Sequence, residues 1–277
     1  MSSTLDIKDM KLYPHAGRIF RDLENLGFFE NDLITIKVLN KFDQLHYHGI
    51  ESVQYCIDTL NICNQDRVLE IGSGWGGPSR YIAHNSNAIV TALELQEDYH
   101  EVGARLTQRC GLQKNVKHRR ADFLTYKPEV QKFDKIVSWL ALYHIPNRPV
   151  YTEKIFSLMK PGGKLFIEDL TILNPGAKMN WNSVNKNLFA NSLIGQLEYR
   201  NLLTEVGFEV EVFEDMPKDW STFTSQRYQE FLMGEKSFTV LHGQDLFNQM
   251  KHFYGKIVKY FKVKAIGGLR IICTKPD

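Results

Sequence analysis

From Arg67 onward, apolar residues fall into short runs rich in β-branched side chains. Each run is followed by a turn signal and a stretch of helical spacing. The runs predict seven strands, at 67–71, 88–95, 116–121, 133–139, 164–169, 208–213 and 268–274. Alternation of strands with helices is typical of a doubly wound α/β domain with a parallel sheet. We therefore predict one core domain over residues 67–277, built on a seven-stranded sheet.

Three segments lie outside this alternation. Residues 1–66 have a mainly helical pattern and predict an N-terminal helical cap, whereas 170–195 and 214–263 are insertions into the core domain. Ligand pockets of open α/β sheets form at the carboxyl ends of the strands. We expect the three segments to cover the pocket at that edge.

The second insertion contains a basic amphipathic stretch over residues 247–262. Apolar side chains recur there at helical spacing, and lysines lie between them. Some helices of this kind bind a membrane surface. We favour the simpler interpretation, in which the apolar face packs on the core and the lysines are solvated.

Composition narrows the class of protein only slightly. The chain has 277 residues, 43% of them apolar, and its net charge of +2 creates no field that favours nucleic acid. Its first residues lack the apolar core of a signal peptide, and no run of about 18 apolar residues is present, so we expect a cytoplasmic protein. The four cysteines include no Cys-x-x-Cys pair, which predicts reduced thiols rather than a zinc site or disulfides.

The most informative motif is a glycine-rich turn after the first predicted strand. Glu70 stands just before the loop, and Gly72, Gly74 and Gly76 follow at alternate positions before Pro78 begins a helix. Glycine permits backbone turns that a side chain would block, so such a loop can approach a ligand closely. The motif predicts a nucleoside site, although glycine turns serve both dinucleotide and S-adenosylmethionine enzymes.

Three further motifs follow in order. Glu94 ends the second strand, about 20 residues past the loop, where an acidic side chain suits the two hydroxyls of a ribose. Asp122 follows the third strand, and a Lys-Pro-Gly-Gly turn at 160–163 precedes the fifth. Glu94 fits both dinucleotide enzymes and S-adenosylmethionine enzymes, so the choice between the two classes depends on all four motifs together.

With these motifs the chain resembles the class I S-adenosylmethionine-dependent methyltransferases over about residues 67–213. The resemblance implies a Rossmann-like fold and S-adenosyl-L-methionine as cofactor. It also implies that Gly72 and Gly74 pass close to the methionine part, that Glu94 binds the ribose, and that Asp122 and the Phe123 backbone hold the adenine. Further cofactor contacts are expected from Glu70, Trp75, Gly76, Leu95 and Trp139.

Two other enzyme classes fit the sequence poorly. A short-chain dehydrogenase would carry a tyrosine followed four residues later by a lysine, and Tyr151 and Lys154 miss that spacing. A nucleic-acid amino-methyltransferase is expected to carry a Pro-Pro-aromatic motif after strand four, and this chain has other residues at 138–144. We therefore expect a small-molecule acceptor, with no nucleic-acid or membrane partner.

His144 is the candidate general base. It follows strand four at the edge where cofactor and acceptor should meet, and an ordinary histidine pKa near 6.5 suits proton transfer at neutral pH. Methyl transfer from a sulfonium is an in-line displacement, so positioning supplies much of the rate. The protein must also remove a proton from the acceptor.

A second candidate lies before the core domain, where His46, Tyr47 and His48 precede Gly49. Here the chain resembles the small-amine branch of the family, the phosphoethanolamine and sarcosine/dimethylglycine N-methyltransferases. That resemblance implies that Tyr47 closes over the methyl donor as a latch and hydrogen-bonds His144. Plain packing of Tyr47 is the alternative.

The acceptor site departs from the phosphobase pattern at Leu140, where those enzymes have an acidic residue. An apolar side chain cannot orient a cationic amine by charge, so a less polar or aromatic acceptor is expected. The predicted substrate contacts are Tyr143 and Trp181 as aromatic walls, with Tyr199 and Arg200 reaching an anionic group.

The sequence thus predicts methyl transfer from S-adenosylmethionine to a small molecule, most simply to an amine nitrogen. An O-methyltransferase with the same base is one alternative, because both reactions need only a proton acceptor. A catalytically silent S-adenosylmethionine-binding protein is another, against which the paired Tyr47 and His144 argue.

Overall fold

The computed structural model describes residues 15–129 and 132–277. The predicted N-terminal cap starts before this part of the chain, so its first 14 residues lie outside the described residues. The strands are β1 (Arg67–Ile71), β2 (Ile89–Glu94), β3 (Val116–Arg120), β4 (Phe133–Trp139), β5 (Met159–Ile172), β6 (Glu209–Asp215) and β7 (Ile266–Thr274).

Helices flank the sheet and form most of the remaining described chain. They are α1 (Arg18–Asn25), α2 (Ile36–Leu39), α3 (Ile50–Leu60), α4 (Gly77–Ser86), α5 (Glu97–Arg109), α6 (Arg148–Leu158), α7 (Trp181–Leu188), α8 (Gln196–Val206), α9 (Pro217–Met233), α10 (Glu235–His242) and α11 (Gln244–Lys262). A short 3-10 helix, Leu142–His144, follows β4.

The seven strands form one sheet in the order β3-β2-β1-β4-β5-β7-β6. Strands β1 to β5 are parallel as predicted, but β7 runs antiparallel to both of its neighbours, so the sheet is mixed. The reason lies in the insertion between β6 and β7. It leaves the sheet at the carboxyl end of β6 and returns at the same edge, so β7 must run in the opposite direction.

The strand order reverses between β1 and β4, which are hydrogen-bonded neighbours. In open α/β sheets a crevice forms at such a point, outside the carboxyl ends of the strands. The Ser138 hydroxyl near the end of β4 donates a 2.9 Å hydrogen bond to the carbonyl of Ile71 at the end of β1. The glycine turn follows β1, so it lies at this crevice.

The Lys-Pro-Gly-Gly turn is part of β5 rather than a connection before it. Pairing with β4 passes from Phe133 and Met159 to Lys135 and Lys164, so the turn is absorbed as an irregularity of the strand. Gly162 has a φ of +68° there, which glycine adopts without strain.

The segments outside the alternation pack against the sheet through separate apolar clusters. The chain before α3 contributes Ile19, Leu23 and Leu39 to a cluster with the core residues Tyr99 and Leu106. Helices α7, α9 and α11 contribute to a second cluster above the end of β5. The apolar face of α11 is buried while Lys251, Lys259 and Lys262 are exposed, which agrees with the favoured interpretation of this helix.

No helix among the described residues combines the length and apolar character that crossing a membrane requires.

Candidate active site

A cavity lies at the crevice between β1 and β4. It encloses about 1100 Å³ including its open mouth, which is ample for a nucleoside-sized ligand. Its walls are formed by the glycine turn (residues 72–77), by the ends of β2 and β4, and by residues 40–49 between α2 and α3, here called the arm. The lining includes Asp43, Leu45, His46, Glu70, Gly72, Ser73, Gly74, Glu94, Leu95, Gln96, Tyr99, Asp122, Phe123, Trp139, Leu140, Ala141 and His144.

Two neighbouring segments pack so closely on the glycine turn that side chains are excluded from it. Gly72 has a φ of +76°, and a Cβ there would lie 2.3 Å from the Cβ of Ala141. Gly77 approaches the arm before α3, since a Cβ there would lie 2.3 Å from the Asp43 carbonyl oxygen. The turn therefore requires glycine both for its backbone conformation and for close packing.

Two backbone N–H donors, one of them on the glycine turn, hold the Glu94 carboxylate at the cavity wall. Gly74 N–H donates to its Oε2 at 2.8 Å, and Gln96 N–H donates to its Oε1 at 2.9 Å. Burial raises the pKa of Glu94, and these hydrogen bonds to the carboxylate oppose that rise. Glu94 thus couples the glycine turn to the end of β2.

Glu70 is the more deeply buried carboxyl group of the site. The Ser79 hydroxyl donates a short hydrogen bond to its Oε2. Burial raises the pKa of Glu70 to about 8, against the opposing effects of Ser79 and Arg80. Its carboxyl group is therefore largely protonated at neutral pH.

Two polar side chains of the cavity lining, Asp122 and Ser73, differ in their hydrogen bonding. Asp122 Oδ1 accepts a 2.9 Å hydrogen bond from the N–H of Leu124, which orders the turn after β3. The buried Ser73 hydroxyl has no partner among the described residues. A buried hydroxyl without a partner costs free energy, so a ligand oxygen or nitrogen beside the turn would satisfy it.

His144 lies at the cavity wall in the 3-10 helix after β4. Its Nδ1 lies 2.9 Å from the Phe189 carbonyl oxygen. Because a carbonyl only accepts, Nδ1 carries the proton and Nε2 has a free lone pair. Burial lowers the pKa of His144 to about 4, so the ring is neutral at physiological pH.

The segment 189–195 holds the His144 turn in place. Asn191 donates its side-chain N–H to the His144 carbonyl at 2.9 Å, and the N–H of Ser192 donates to the Tyr143 carbonyl at 3.1 Å. A buried ion pair between Arg148 and Asp169, 3.1 Å apart, fixes this segment because Arg148 also donates to the Ser192 carbonyl. The imidazole of His144 is therefore oriented by the segment 189–195, which Arg148 and Asp169 in turn hold in place.

Tyr47 lies beside the cavity rather than in its wall. Its ring packs edge-on against Trp220 at 5.0 Å and also contacts Phe223 and Phe261. The ring of its neighbour His46 lies 5.5 Å from Trp139, and both of these residues line the cavity.

Nine of the predicted site residues line the cavity together. They are Glu70, Gly72, Gly74, Glu94, Leu95, Asp122, Phe123, Trp139 and His144. Two other predicted cofactor contacts lie outside this lining. Trp75 is buried against Tyr99 and beneath Arg18, and Gly76 faces His118 and Arg80 on the core side of the turn.

The four predicted substrate contacts are also outside the lining. Tyr199 is buried and donates its hydroxyl to Asp169 at 3.2 Å, whereas Arg200 is exposed over the ring of Phe213. Tyr143 and Trp181 pack in the apolar cluster above β5. Successive residues of helix α8 point in different directions, so both of its residues could not face one pocket.

Several lining residues were not predicted from the sequence, above all Asp43 and Leu45 on the arm and Tyr99 on α5. Ser73 and Gln96 are each next in sequence to a predicted site residue, and that position was the only local signal for them. Asp43 carried no local signal, because its role depends on Arg80 in α4.

Comparisons with known proteins agree with this geometry. The family model described as mycolic acid cyclopropane synthetase matches residues 40–269. The chain is 26% identical over 165 residues to a glycine/sarcosine/dimethylglycine N-methyltransferase of Actinopolyspora halophila, which covers 60% of this chain and 29% of that enzyme. It is 24% identical over 257 residues to a phosphoethanolamine N-methyltransferase of Plasmodium falciparum, covering 87% and 94%. The chain therefore spans less than a third of the Actinopolyspora enzyme.

Among solved structures, Haemonchus contortus phosphoethanolamine N-methyltransferase 2, in complex with phosphomonomethylethanolamine and S-adenosylhomocysteine, matches with a TM-score of 0.79. The match covers 93% of this chain and 61% of that chain at 17% identity, which shows a shared fold.

The cavity fits S-adenosylmethionine. Its glycine turn presents bare backbone to the cavity at Gly72 and Gly74, its acidic residue Glu94 suits ribose hydroxyls, and Ser73 offers a buried hydroxyl without a partner among the described residues. The chain belongs to the mycolic acid cyclopropane synthetase family, which is one of the class I S-adenosylmethionine-dependent methyltransferase families.

Proposed function

We propose that the protein transfers the methyl group to the nitrogen of a small-molecule amine, with His144 as the proton acceptor. The observation that carries this proposal is the neutral His144 imidazole at the wall of the cofactor cavity. Its Nδ1 donates a hydrogen bond to the Phe189 carbonyl, so its Nε2 is left as the proton acceptor. N-methyltransferases among the relatives of the chain support the choice of nitrogen.

The cofactor would be held by the residues that line the cavity. Gly72 and Gly74 would lie along its methionine part, Glu94 would bind the ribose, and Asp122 with Phe123 would hold the adenine. Leu95 and Trp139 would add apolar contacts to the bound molecule. S-adenosylmethionine supplies an electrophilic methyl group on a sulfonium.

His144 would act on the acceptor through Nε2. An amine is nucleophilic only in its neutral form, and the burial that disfavours an imidazolium here also disfavours an ammonium ion. An acceptor entering beside His144 is therefore shifted towards its neutral form. Nε2 would accept the N–H hydrogen bond that orients the nitrogen lone pair. It would take the proton as the nitrogen–methyl bond forms and the methyl–sulfur bond breaks, with S-adenosylhomocysteine as the leaving group.

Tyr47 is proposed as the latch of this site. It lies one residue from His46, which lines the cavity, and its ring is held among aromatic side chains of α9 and α11. The arm that carries it also contributes Asp43 and Leu45 to the cavity wall. Closure of this arm would exclude water from the reacting groups.

Leu140 supports an acceptor without a second cationic group. It lines the cavity with a φ of +52°, a conformation that costs a non-glycine residue free energy. An apolar side chain at this point replaces the charge that would orient a cation.

A methyl-transfer assay across a panel of small amines and matched hydroxyl compounds tests the proposal. We expect turnover of amines, measured as S-adenosylhomocysteine release with the methylated product identified by mass spectrometry. Methylation of hydroxyl compounds alone would assign an O-methyltransferase. Cofactor binding without turnover of any panel member would assign a catalytically silent binding protein.

A further inference from the structure

His46 is a second imidazole of the cofactor cavity, and the reaction proposed above gives it no role. The residue is only 5% exposed and lines the cavity together with His144. Its Nε2 lies 2.9 Å from the Gly49 carbonyl oxygen. Because a carbonyl only accepts, Nε2 carries the proton and Nδ1 has the free lone pair. Within residues 15–129 and 132–277, Nδ1 has no hydrogen-bond partner.

The environment of His46 keeps its ring neutral. Burial lowers the pKa of His46 to about 3, and the positive charge of Arg227 acts in the same direction. The ring therefore presents an unpaired acceptor nitrogen although the residue is almost fully buried. A buried acceptor without a partner costs free energy, and an N–H or O–H group of a ligand in the cavity would satisfy it.

The arm holds His46 in position through contacts on both sides of it. The carbonyl oxygen of Leu45 accepts a 3.4 Å hydrogen bond from Nη1 of Arg227 in α9. Gly49, whose carbonyl orients the imidazole, directly precedes α3. The ring itself packs on Trp139, with 5.5 Å between the ring centres. The imidazole is therefore positioned before any ligand enters.

The contact with Trp139 places His46 at the β4 side of the cavity. Trp139 is the last residue of β4, and His144 lies in the 3-10 helix that follows. Glu94 and Asp122 lie instead at the ends of β2 and β3, on the other side of β1. The proposed ribose and adenine contacts thus occupy one side of the cavity. The two imidazoles share the other side, where the acceptor is expected.

Both imidazoles are presented to a ligand in the same way. His144 donates its single N–H to the Phe189 carbonyl. His46 likewise donates its own to the Gly49 carbonyl. Each ring can therefore only accept a hydrogen bond from a ligand.

Two neighbouring acceptors match one kind of reacting group. A neutral primary amine has two N–H bonds and one lone pair. If both N–H bonds are held, the lone pair is left free and its direction towards the methyl group is fixed. An alcohol has one O–H, and a neutral N-methylated amine has at most one N–H. Neither of these groups satisfies both imidazoles.

We propose that Nδ1 of His46 accepts a second N–H of the acceptor nitrogen, so that the site prefers primary amines. The inference rests on the proposed function, because it requires the nitrogen beside His144. His144 takes one proton as the nitrogen–methyl bond forms and the methyl–sulfur bond breaks. The other N–H stays on the nitrogen and remains bound to His46. The products are a secondary amine, S-adenosylhomocysteine and a proton on His144.

A second methylation is disfavoured at such a site. The secondary amine has one N–H left, so one of the two imidazoles loses its partner when this amine binds again. An unpaired buried acceptor weakens binding. The site therefore favours the addition of one methyl group to each acceptor.

Amines that differ only in N-methylation test this preference. Benzylamine and propylamine are compared with their N-methyl derivatives in the wild type and in two variants. His46→Phe keeps a ring against Trp139 but removes the acceptor, and His46→Asn restores an acceptor oxygen near the position of Nδ1. We expect the wild type to favour the primary amine about tenfold in kcat/KM, and the preference to disappear in His46→Phe and return in part in His46→Asn.

The controls separate this role from a structural one. His84→Phe makes the same change at an exposed position of α4 and should leave the preference unchanged. Affinity for S-adenosylhomocysteine, measured by calorimetry, should be equal in the wild type and in His46→Phe. An equal effect of His46→Phe on both amines of a pair would overturn the inference. A tenfold loss of S-adenosylhomocysteine affinity would do so too, because it would assign the imidazole to the cofactor.

A binding measurement separates this inference from the proposed function. Protein labelled with ¹⁵N at histidine and saturated with S-adenosylhomocysteine is titrated with benzylamine or with benzyl methyl ether, which has no N–H. The Nδ1 signal of His46 is assigned by its absence from the spectrum of His46→Asn. We expect benzylamine to shift this signal upfield, as for an imidazole nitrogen that accepts a hydrogen bond, and the ether to leave it in place.

The two proposals can then fail separately. If the shift is specific to benzylamine while no amine is methylated, the His46 contact stands and the proposed function fails. Equal shifts with benzylamine and the ether, or no shift with either, refute the contact whether or not the protein methylates amines.

Discussion

The carboxylate of Asp43 and the guanidinium of Arg80 form an ion pair 2.9 Å long, and both side chains are completely buried. Asp43 belongs to the arm before α3, and Arg80 lies in the helix after the glycine turn. Arg80 also donates to Thr107 and to the Gly103 carbonyl, both in α5. One buried charge pair therefore holds the arm against the turn that forms the cofactor cavity.

Replacing Asp43 with Asn should destabilise the protein strongly. The change leaves the Arg80 charge buried without its counterion, which typically costs about 3–5 kcal/mol. Urea unfolding would measure the loss. The matched control is Glu30→Gln at the exposed pair with Arg105, where a change of no more than about 1 kcal/mol is expected. Equal stability of the two variants would mean that the arm is not held by this pair.

Glu94→Ala should weaken cofactor binding about tenfold or more. The variant removes the predicted ribose acceptor and also frees the N–H groups of Gly74 and Gln96, so the turn loses its support. Isothermal titration with S-adenosylhomocysteine measures the affinity. Glu97→Ala, an exposed position paired with Arg120, serves as the control and should bind normally. Unchanged affinity in Glu94→Ala would remove this residue from the site.

Cofactor binding should release a proton from Glu70 at pH 7. With its pKa raised to about 8, the carboxyl group is mostly protonated before binding, and a cationic ligand nearby lowers that pKa. Calorimetry in two buffers of different ionisation enthalpy measures the proton as a difference in heat. The difference should vanish in Glu70→Gln. Identical heats for the wild type in both buffers would contradict the prediction.

The parts of the site that the sequence predicted are those whose partners lie nearby along the chain or at a fixed strand end. Gly72, Glu94 and Asp122 lie at or just after the carboxyl ends of three neighbouring strands, and the parallel sheet brings such ends together. Apart from β5, which begins five residues before its predicted start, strand boundaries were predicted to within about two residues, because apolar runs and turn residues are local signals.

Long-range packing accounts for what the sequence did not predict. Tyr199 and Arg200 were assigned together from their position before β6, but the rotation of α8 buries the first against Asp169 and exposes the second. The direction of β7 depends on an insertion that starts and ends at one edge of the sheet. Arg227 lies 182 residues from Leu45, so no local pattern connects them.

His118 should make stability depend on pH. Its Nε2 lies 2.8 Å from the Thr107 hydroxyl, and burial lowers its pKa to about 3. Between about pH 6.5 and 3 the unfolded chain binds a proton that the folded protein does not, so the contribution present above pH 6.5 is lost as the pH falls. Carboxyl groups titrate in the same range, and comparison with His118→Gln cancels them.

Urea unfolding of the wild type and His118→Gln at pH 7.5 and pH 5.0 measures this contribution. The stability of the wild type relative to the variant should decrease at the lower pH, by at most about 1.4 kcal/mol per pH unit below 6.5. A difference that stays constant would show that His118 binds its proton equally in both states.

His144→Ala should reduce turnover far more than cofactor affinity. A general base contributes about 10²- to 10⁴-fold, whereas the ring makes no predicted contact with the cofactor. Steady-state kinetics and calorimetry measure the two quantities separately, and His84→Ala on the exposed end of α4 is the control. Full activity in His144→Ala would end its catalytic assignment.

The dependence of the wild-type kcat on pH, on its acid side, tests the role of His144 by a different measurement. With a pKa lowered to about 4, His144 stays neutral and able to accept a proton as the pH falls from 8 to 5. We therefore expect kcat to show no loss in this range from protonation of His144, in contrast to a base with the ordinary histidine pKa near 6.5. Loss of kcat along an acid limb near pH 6.5 in the wild type would contradict this expectation.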